Sequence, residues 1–184
     1  ITGNVGRSGG NSGVSNGATG RSGIKALPPG TNPTGARVSA ALMADLLDRG
    51  RAGGYPADIK MIYSVVGDLF NQLPNIGKTI AAAQKLEFMV VHEHFMTPTA
   101  RFADIVLPAT TFWERNDMHT PWAGGGHYAI FMNKAVEPAG ECRNDIDICA
   151  DLAGRLGIQG YSDKTEEEWL RELSAPAIDD FETF

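Results

Sequence analysis

The sequence predicts an α/β protein with a mostly parallel sheet and flanking helices, and three observations predict it. Ile59-Lys-Met-Ile-Tyr-Ser-Val-Val66 is a short run rich in β-branched and apolar residues that stops at Gly67-Asp68, the pattern of a strand with a turn behind it. Glu87-Phe-Met-Val-Val91 is a second such run, and the residues between the two carry a helical spacing of apolar side chains. Strand, helix and strand within about 30 residues make one β-α-β unit. The unit then starts again, with Thr97-Pro98 opening a short helix before Asp104-Ile-Val-Leu-Pro108. A chain of 184 residues, 42% hydrophobic and 21% charged, is long enough and apolar enough to bury a core.

Each element has its own reason. Ile1 to Gly35 is a glycine, serine and asparagine loop that cannot form an amphipathic element. It is either a flexible linker or a loop pressed close to a ligand, where only glycine fits; in the second case Arg7 and Arg21 could meet phosphates. Ala36 to Arg49 has Val38, Leu42, Leu46 and Arg49 at helical spacing, with Gly50, Gly53 and Gly54 to end it. The strand from Ile59 to Val66 is apolar almost throughout, which suits a parallel strand covered on both faces. Pro74 to Leu86 reads as a helix with Ile76, Ile80 and Ala83 on one face. Thr97 is a good N-cap, and Pro98 at the first helical position loses no hydrogen bond. The crossover that follows, to the third strand, is short for a parallel pair.

Thr111 to Gly126 is a polar, aromatic loop, and Tyr128 to Met132 a short strand. Asn144 or Asp145 opens a helix carrying Ile148, Cys149, Leu152 and Leu156, closed by Gly157 in the C′ position. Thr165-Glu-Glu-Glu168 is a capping box for a last helix to Ser174, with Trp169, Leu170 and Leu173 facing inward.

Composition narrows the function classes. A net charge of -6 argues against a nucleic-acid surface, which needs a basic face. Two cysteines, Cys142 and Cys149, are too few for a disulfide framework. No apolar run approaches the roughly 18 residues of a membrane span. The chain begins at Ile1, in the middle of a glycine-rich run, and is expected to be a piece of a longer protein.

In an open parallel sheet, ligands bind beyond the carboxyl ends of the strands. Those ends carry Gly67 and Asp68, then His92, Glu93 and His94. Gly67 admits close approach of a backbone or phosphate. Asp68 and Glu93 can accept hydrogen bonds from sugar hydroxyls or from the N–H groups of guanine, or they are solvated turn residues. The Gly-x-Gly-x-x-Gly turn is absent. His92 and His94 fall on one face of a strand and could share a metal ion, but His119 and His127 are remote, and a satisfied or exposed histidine is the favoured reading. Arg115 either holds a phosphate or carboxylate bidentately or forms a surface ion pair with Glu114 or Asp117. No Ser-His-Asp set or reactive-cysteine setting stands out, and Trp113 and Trp122 read as packing residues.

One series of residues goes further. Met-Thr-Pro-Thr-Ala-Arg-Phe-Ala-Asp-Ile-Val-Leu-Pro-Ala-Thr-Thr-Phe-Trp-Glu-Arg-Asn-Asp, from Met96 to Asp117, closely resembles the molybdopterin oxidoreductases of the dimethyl sulfoxide reductase superfamily. The Gly-Asn-Val-Gly-Arg-Ser-Gly-Gly-Asn-Ser-Gly start and Glu141-Cys-Arg-Asn-Asp145 are similar to segments of the same family. Thr165-Glu-Glu-Glu-Trp-Leu-Arg-Glu-Leu173 looks most like the catalytic subunits of anaerobic dimethyl sulfoxide reductases.

The resemblance implies a Rossmann-like part of a larger multi-domain enzyme, with residues 1–35 a glycine-rich loop on the cofactor region and 36–184 a guanine-dinucleotide-binding α/β domain. It implies a bis(molybdopterin guanine dinucleotide) molybdenum cofactor that reduces an S- or N-oxide. Gly67, Asp68, His92, Glu93, Arg115 and Asp145 match positions where relatives contact a guanine dinucleotide. The metal ligand and a [4Fe–4S] cluster would lie upstream. An iron–sulfur electron-transfer subunit, a membrane anchor subunit and a location on the outer, periplasmic side are also implied. The alternatives are a non-redox hydratase or transhydroxylase on the same scaffold, and a non-catalytic nucleotide-binding or interaction module.

Overall fold

A computed structural model describes residues 23–28, 30–31, 35–119 and 129–181. Most of the glycine-rich start, including Arg7 and Arg21, lies outside the described residues, as do Trp122 and His127. The chain divides into two compact units, and each is built differently.

The first unit comprises residues 30–111 and 138–155. Its centre is a three-stranded parallel sheet in the order β1 (Met61–Val65), β2 (Phe88–Glu93), β3 (Ile105–Pro108). The two short runs and the Asp104–Pro108 segment are therefore strands, and the short crossover does return a parallel partner. It does so through α4 (Pro98–Phe102), capped by the Thr97 hydroxyl with Pro98 in the first turn. Between β1 and β2 the chain makes α2 (Leu69–Gln72) and α3 (Ile76–Ala83).

The core lies where these crossovers meet the sheet. Met89 and Val91 point to one face of β2 and pack with Ala100 of α4, Leu69 and Phe102. Phe70, Ala82 and Ala83 continue this layer to Leu47 of α1 (Met43–Arg49). Full burial of a side chain such as Met89 or Val91 contributes about 1.5–3 kcal/mol. Contact between α1 and α3 is reinforced by Asp45–Lys78 at 2.6 Å, and Asp48 of α1 pairs with Lys85, just past α3, at 2.5 Å.

Several expectations shift in detail. α1 starts only after a 3-10 turn at Ala40–Leu42, so its inward face is Ala44, Leu46 and Leu47, while Leu42 is exposed. On α3 the buried residues are Thr79, Ala82 and Ala83, and Ile76 is exposed in the first turn. The strand covered on both faces is β2, whose middle four residues are buried. β1 instead leaves Met61 and Val65 nearly half exposed; both lie on the face opposite Ile62, which packs into the core. α5 (Asp145–Arg155) buries Ile148 and Ala153, whereas Leu152 and Leu156 face out. Gly157 follows with φ 71°, the left-handed conformation expected of it.

The second unit comprises residues 1–29, 112–137 and 156–184. It contains the antiparallel pair β4 (Asp117–His119) and β5 (Ile130–Met132) and the helix α6 (Glu166–Ser174). β4 falls inside the stretch read as loop. α6 carries the full capping box between Thr165 and Glu168 and buries Leu173. The Lys25 N–H donates to the carbonyl of Leu173 at 2.9 Å.

Candidate functional site

The carboxyl edge of the parallel sheet is shaped first by the turn after β1. Val66 has φ 56°, a conformation costly for a β-branched residue, and its side chain is exposed. Strain of this kind persists only where the surroundings enforce it. Gly67 follows, and a Cβ there would lie 3.2 Å from Ser64 Oγ, whose hydroxyl donates to the Gly67 carbonyl at 3.3 Å. The bare backbone at Gly67 thus serves the turn itself as well as any ligand. Asp68 is next, and its Oδ1 accepts from the Thr99 hydroxyl at 2.5 Å and from the Thr99 N–H at 3.2 Å. Thr99 Oγ1 in turn accepts from the Phe70 N–H at 3.0 Å. Asp68 therefore ties the β1 turn to the start of α4, which is a structural use of a residue read as a ligand contact.

At the end of β2, Glu93 is partly exposed and accepts the backbone N–H of His94 at 3.0 Å. His92 is different. It lies on the opposite face of the strand from Met89 and Val91, with only 1% of its surface exposed. Its Nε2 is 2.6 Å from the Tyr63 hydroxyl of β1, and its Nδ1 is 2.7 Å from Asp145 Oδ1 at the start of α5. The two rings meet edge to face with centroids 5.2 Å apart. Both imidazole nitrogens are thus committed to protein partners, so the ion shared with His94 has no nitrogen to use on this ring.

Asp145 reaches this edge because the chain returns to β3. Ala109 bridges Arg143 in parallel fashion, the Thr110 N–H donates to the Arg143 carbonyl at 3.0 Å, and the Arg143 N–H donates to the Pro108 carbonyl at 3.1 Å. That pairing sets Asn144 and Asp145 beyond the strand ends, and Asn144 Oδ1 accepts the Ile146 N–H at 3.1 Å. The Asp145 side chain keeps 21% of its surface exposed.

Burial, followed by the nearby Cys149 and Asp145, holds the Tyr63 hydroxyl pKa above the usual phenol value. It is therefore a protonated donor throughout the neutral range. In the tautomer that carries its proton on Nδ1, His92 donates to Asp145 and accepts from the Tyr63 hydroxyl at Nε2.

The edge of the first unit thus brings together five of the six residues expected from the sequence: Gly67, Asp68, His92, Glu93 and Asp145. Arg115 belongs to the second unit. There its Nε and Nη2 both lie 2.9 Å from Asp117 Oδ2, so the ion pair that was one of its two readings is formed. Tyr63 and Thr99 were not anticipated. Tyr63 had one signal: two residues before the end of its strand, it shares a face with the residue paired to His92.

Comparison with known proteins bears on what this edge is for. A family model described as molybdopterin oxidoreductase matches residues 1–155. The dimethyl sulfoxide reductase DmsA of Escherichia coli is 35% identical over the whole of this chain, which covers 25% of DmsA. The dimethyl sulfoxide/trimethylamine N-oxide reductase of Rhodobacter capsulatus is 42% identical over 63% of this chain and 14% of its own length. Among solved structures, the acetylene hydratase of Pelobacter acetylenicus superposes with a TM-score of 0.65 at 23% identity, over 78% of this chain and 19% of that one; the likeness is one of fold. The chain spans about a quarter of DmsA. The match of the family model across residues 1–155, with the identity to DmsA over the whole chain, shows that the chain belongs to the molybdopterin oxidoreductase family.

Proposed function

We propose that the chain is the guanine-dinucleotide-binding part of a molybdenum-dependent reductase of S- or N-oxides. The observation that carries the reading is the set of groups at the carboxyl edge of the sheet: a strained turn ending in Gly67, a partly exposed Glu93, and a partly exposed Asp145 fixed by His92. Carboxylates accept from ribose hydroxyls and from the adjacent N–H donors of a guanine edge, so this set of acceptors fits the nucleotide end of a pterin guanine dinucleotide. Glu93 and Asp145 would hold that end, and Gly67 would let it approach the backbone. When bound, the molybdenum supplies oxygen-atom transfer, while the protein orients the group and limits the access of water.

The relatives named above as dimethyl sulfoxide and trimethylamine N-oxide reductases support an oxide substrate. The likeness to acetylene hydratase concerns fold alone. The same reading extends to a [4Fe–4S] cluster, an iron–sulfur partner subunit, a membrane anchor and an outer-face location elsewhere in the complete enzyme.

Replacing Glu93 by Ala in the full-length protein tests it. Molybdenum and pterin recovered per folded protein should fall together. Unchanged content of both would count against the assignment.

A further inference from the structure

We propose that Tyr63 and His92 are positioning residues that orient the Asp145 carboxylate toward the guanine edge, with His92 acting through Asp145 and not on the cofactor itself. The inference rests on the reading of Asp145 given above and deepens it.

The geometry is a chain of three side chains from three elements. Tyr63 stands on β1, His92 on β2 and Asp145 at the first position of α5. The links are 2.6 Å and 2.7 Å long. The terminal torsion of an aspartate is broad and two-fold, so an isolated carboxylate at a helix start samples many orientations. A guanine edge presents N1–H and the exocyclic amino N–H side by side. It pairs with a carboxylate only when that carboxylate lies near the plane of the base. A hydrogen bond from His92 to Oδ1 selects one orientation, provided the imidazole is itself fixed.

The imidazole is fixed by burial and by Tyr63. His92 side-chain exposure is 0%. Its ring packs edge to face on the tyrosine, and its Nε2 is satisfied by the hydroxyl. Removing that hydroxyl leaves a buried nitrogen without a partner, which a buried ring tolerates poorly. The ring then gains reason to turn, and Asp145 loses its guide. His92 offers no nitrogen to a nucleotide while both of its bonds stand, so its part in recognition runs through the aspartate.

The test uses the cofactor-free full-length protein, with GMP and IMP as probes in titration calorimetry. IMP lacks only the 2-amino group, so the preference for GMP over IMP reads the alignment of the carboxylate with that group. In the parent protein this preference should be about tenfold, the scale of one charge-assisted hydrogen bond. Tyr63→Phe, which keeps the ring, should reduce it severalfold. His92→Leu should abolish it. His92→Asn, whose amide N–H stands near the place of Nδ1 and can still donate to Asp145, should restore part of it. A purely structural role would lower thermal stability in these variants and leave the preference of the folded fraction intact, and that result overturns the proposal. Asp145→Asn separates the two levels. If it removes the preference while Tyr63→Phe and His92→Leu retain it, the positioning chain is wrong and the nucleotide reading stands. If Asp145→Asn also retains the preference, the positioning chain is wrong and guanine is read by another acceptor such as Glu93; no binding of GMP by the parent protein sinks the nucleotide reading itself.

Discussion

Thr99 is the residue on which the turn after β1 depends. It is fully buried, its hydroxyl donates to Asp68 and accepts from the Phe70 N–H, and its own N–H reaches Asp68 as well. Thr99→Val keeps the shape and removes the oxygen. It leaves the buried Phe70 N–H without its partner, at a cost of about 1–3 kcal/mol, and takes one hydrogen bond from the partly buried Asp68. Amide exchange at Phe70 and Thr99 in the full-length protein should therefore quicken by one to two orders of magnitude, on the order of that free energy, while Thr99→Ser changes little. Unaltered protection in Thr99→Val would show that water replaces the hydroxyl and that the turn is held some other way. The same residues show what a sequence can and cannot disclose at this scale. That Asp68, His92 and Glu93 stand at strand ends followed from the strand pattern alone. That Asp68 is engaged by Thr99 and His92 by Tyr63 and Asp145 did not, because those partners lie 31, 29 and 53 residues away in the chain and no local periodicity records such a distance.

Elements fared according to how local their causes are. α6 was legible to the residue because its cap is written in four consecutive positions: Thr165 Oγ1 accepts the Glu168 N–H, and Glu168 Oε2 accepts the Thr165 N–H at 2.7 Å. The parallel strands were legible because buried strands are apolar runs. β4 was hidden, since Asp117-Met-His119 is three residues long and its antiparallel partner, Ile130–Met132, lies beyond a long connection. On α1 and α3, Leu46, Ile80 and Ala83 face the core as their spacing predicts, whereas Leu42 in the 3-10 turn and Ile76 in a first turn are exposed. The capping box supports a prediction of its own. Thr165→Ala removes an N-cap worth about 1 kcal/mol, so exchange across Glu166–Ser174 should quicken about fivefold. The partner carboxyl adds a pH dependence. Hydrogen bonds from the Thr165 backbone, then from its hydroxyl, hold Glu168 below the usual glutamate pKa. A depressed carboxylate stabilises fully above its unfolded pKa and loses that contribution as pH falls through the folded one. Protection of α6 should therefore be constant around neutrality and drop on acidification through the lowered Glu168 pKa. The acid-induced drop should vanish in Glu168→Gln. A drop of equal size in that variant would assign the effect to another group.

At the scale of the molecule, the question is how much of an enzyme this chain can be. In the reading proposed above, the carboxyl edge of its first unit meets the nucleotide end of a cofactor. Its sheet leaves Met61 and Val65 on the outer strand nearly half exposed, although parallel sheets are ordinarily covered on both faces. The chain spans about a quarter of DmsA. Oxide reduction at a metal needs a site that excludes water and fixes the substrate against the reacting atom, whereas the groups assembled here are carboxylates on a partly open edge. In the reading proposed above, the nucleotide end and the reacting end of an extended dinucleotide cofactor are separate places, and only the first meets the acceptors of this edge. The 184-residue chain purified alone should thus show no turnover of dimethyl sulfoxide or trimethylamine N-oxide with a reduced dye, under conditions where the full-length protein is active. The measurement has to be made with the cofactor supplied to both. Turnover by the chain alone that matches the full-length protein would mean that the reacting end is also built from these residues, and the division of labour proposed here would be wrong. Loss of turnover with GMP binding retained would instead locate nucleotide recognition in this chain and the chemistry outside it.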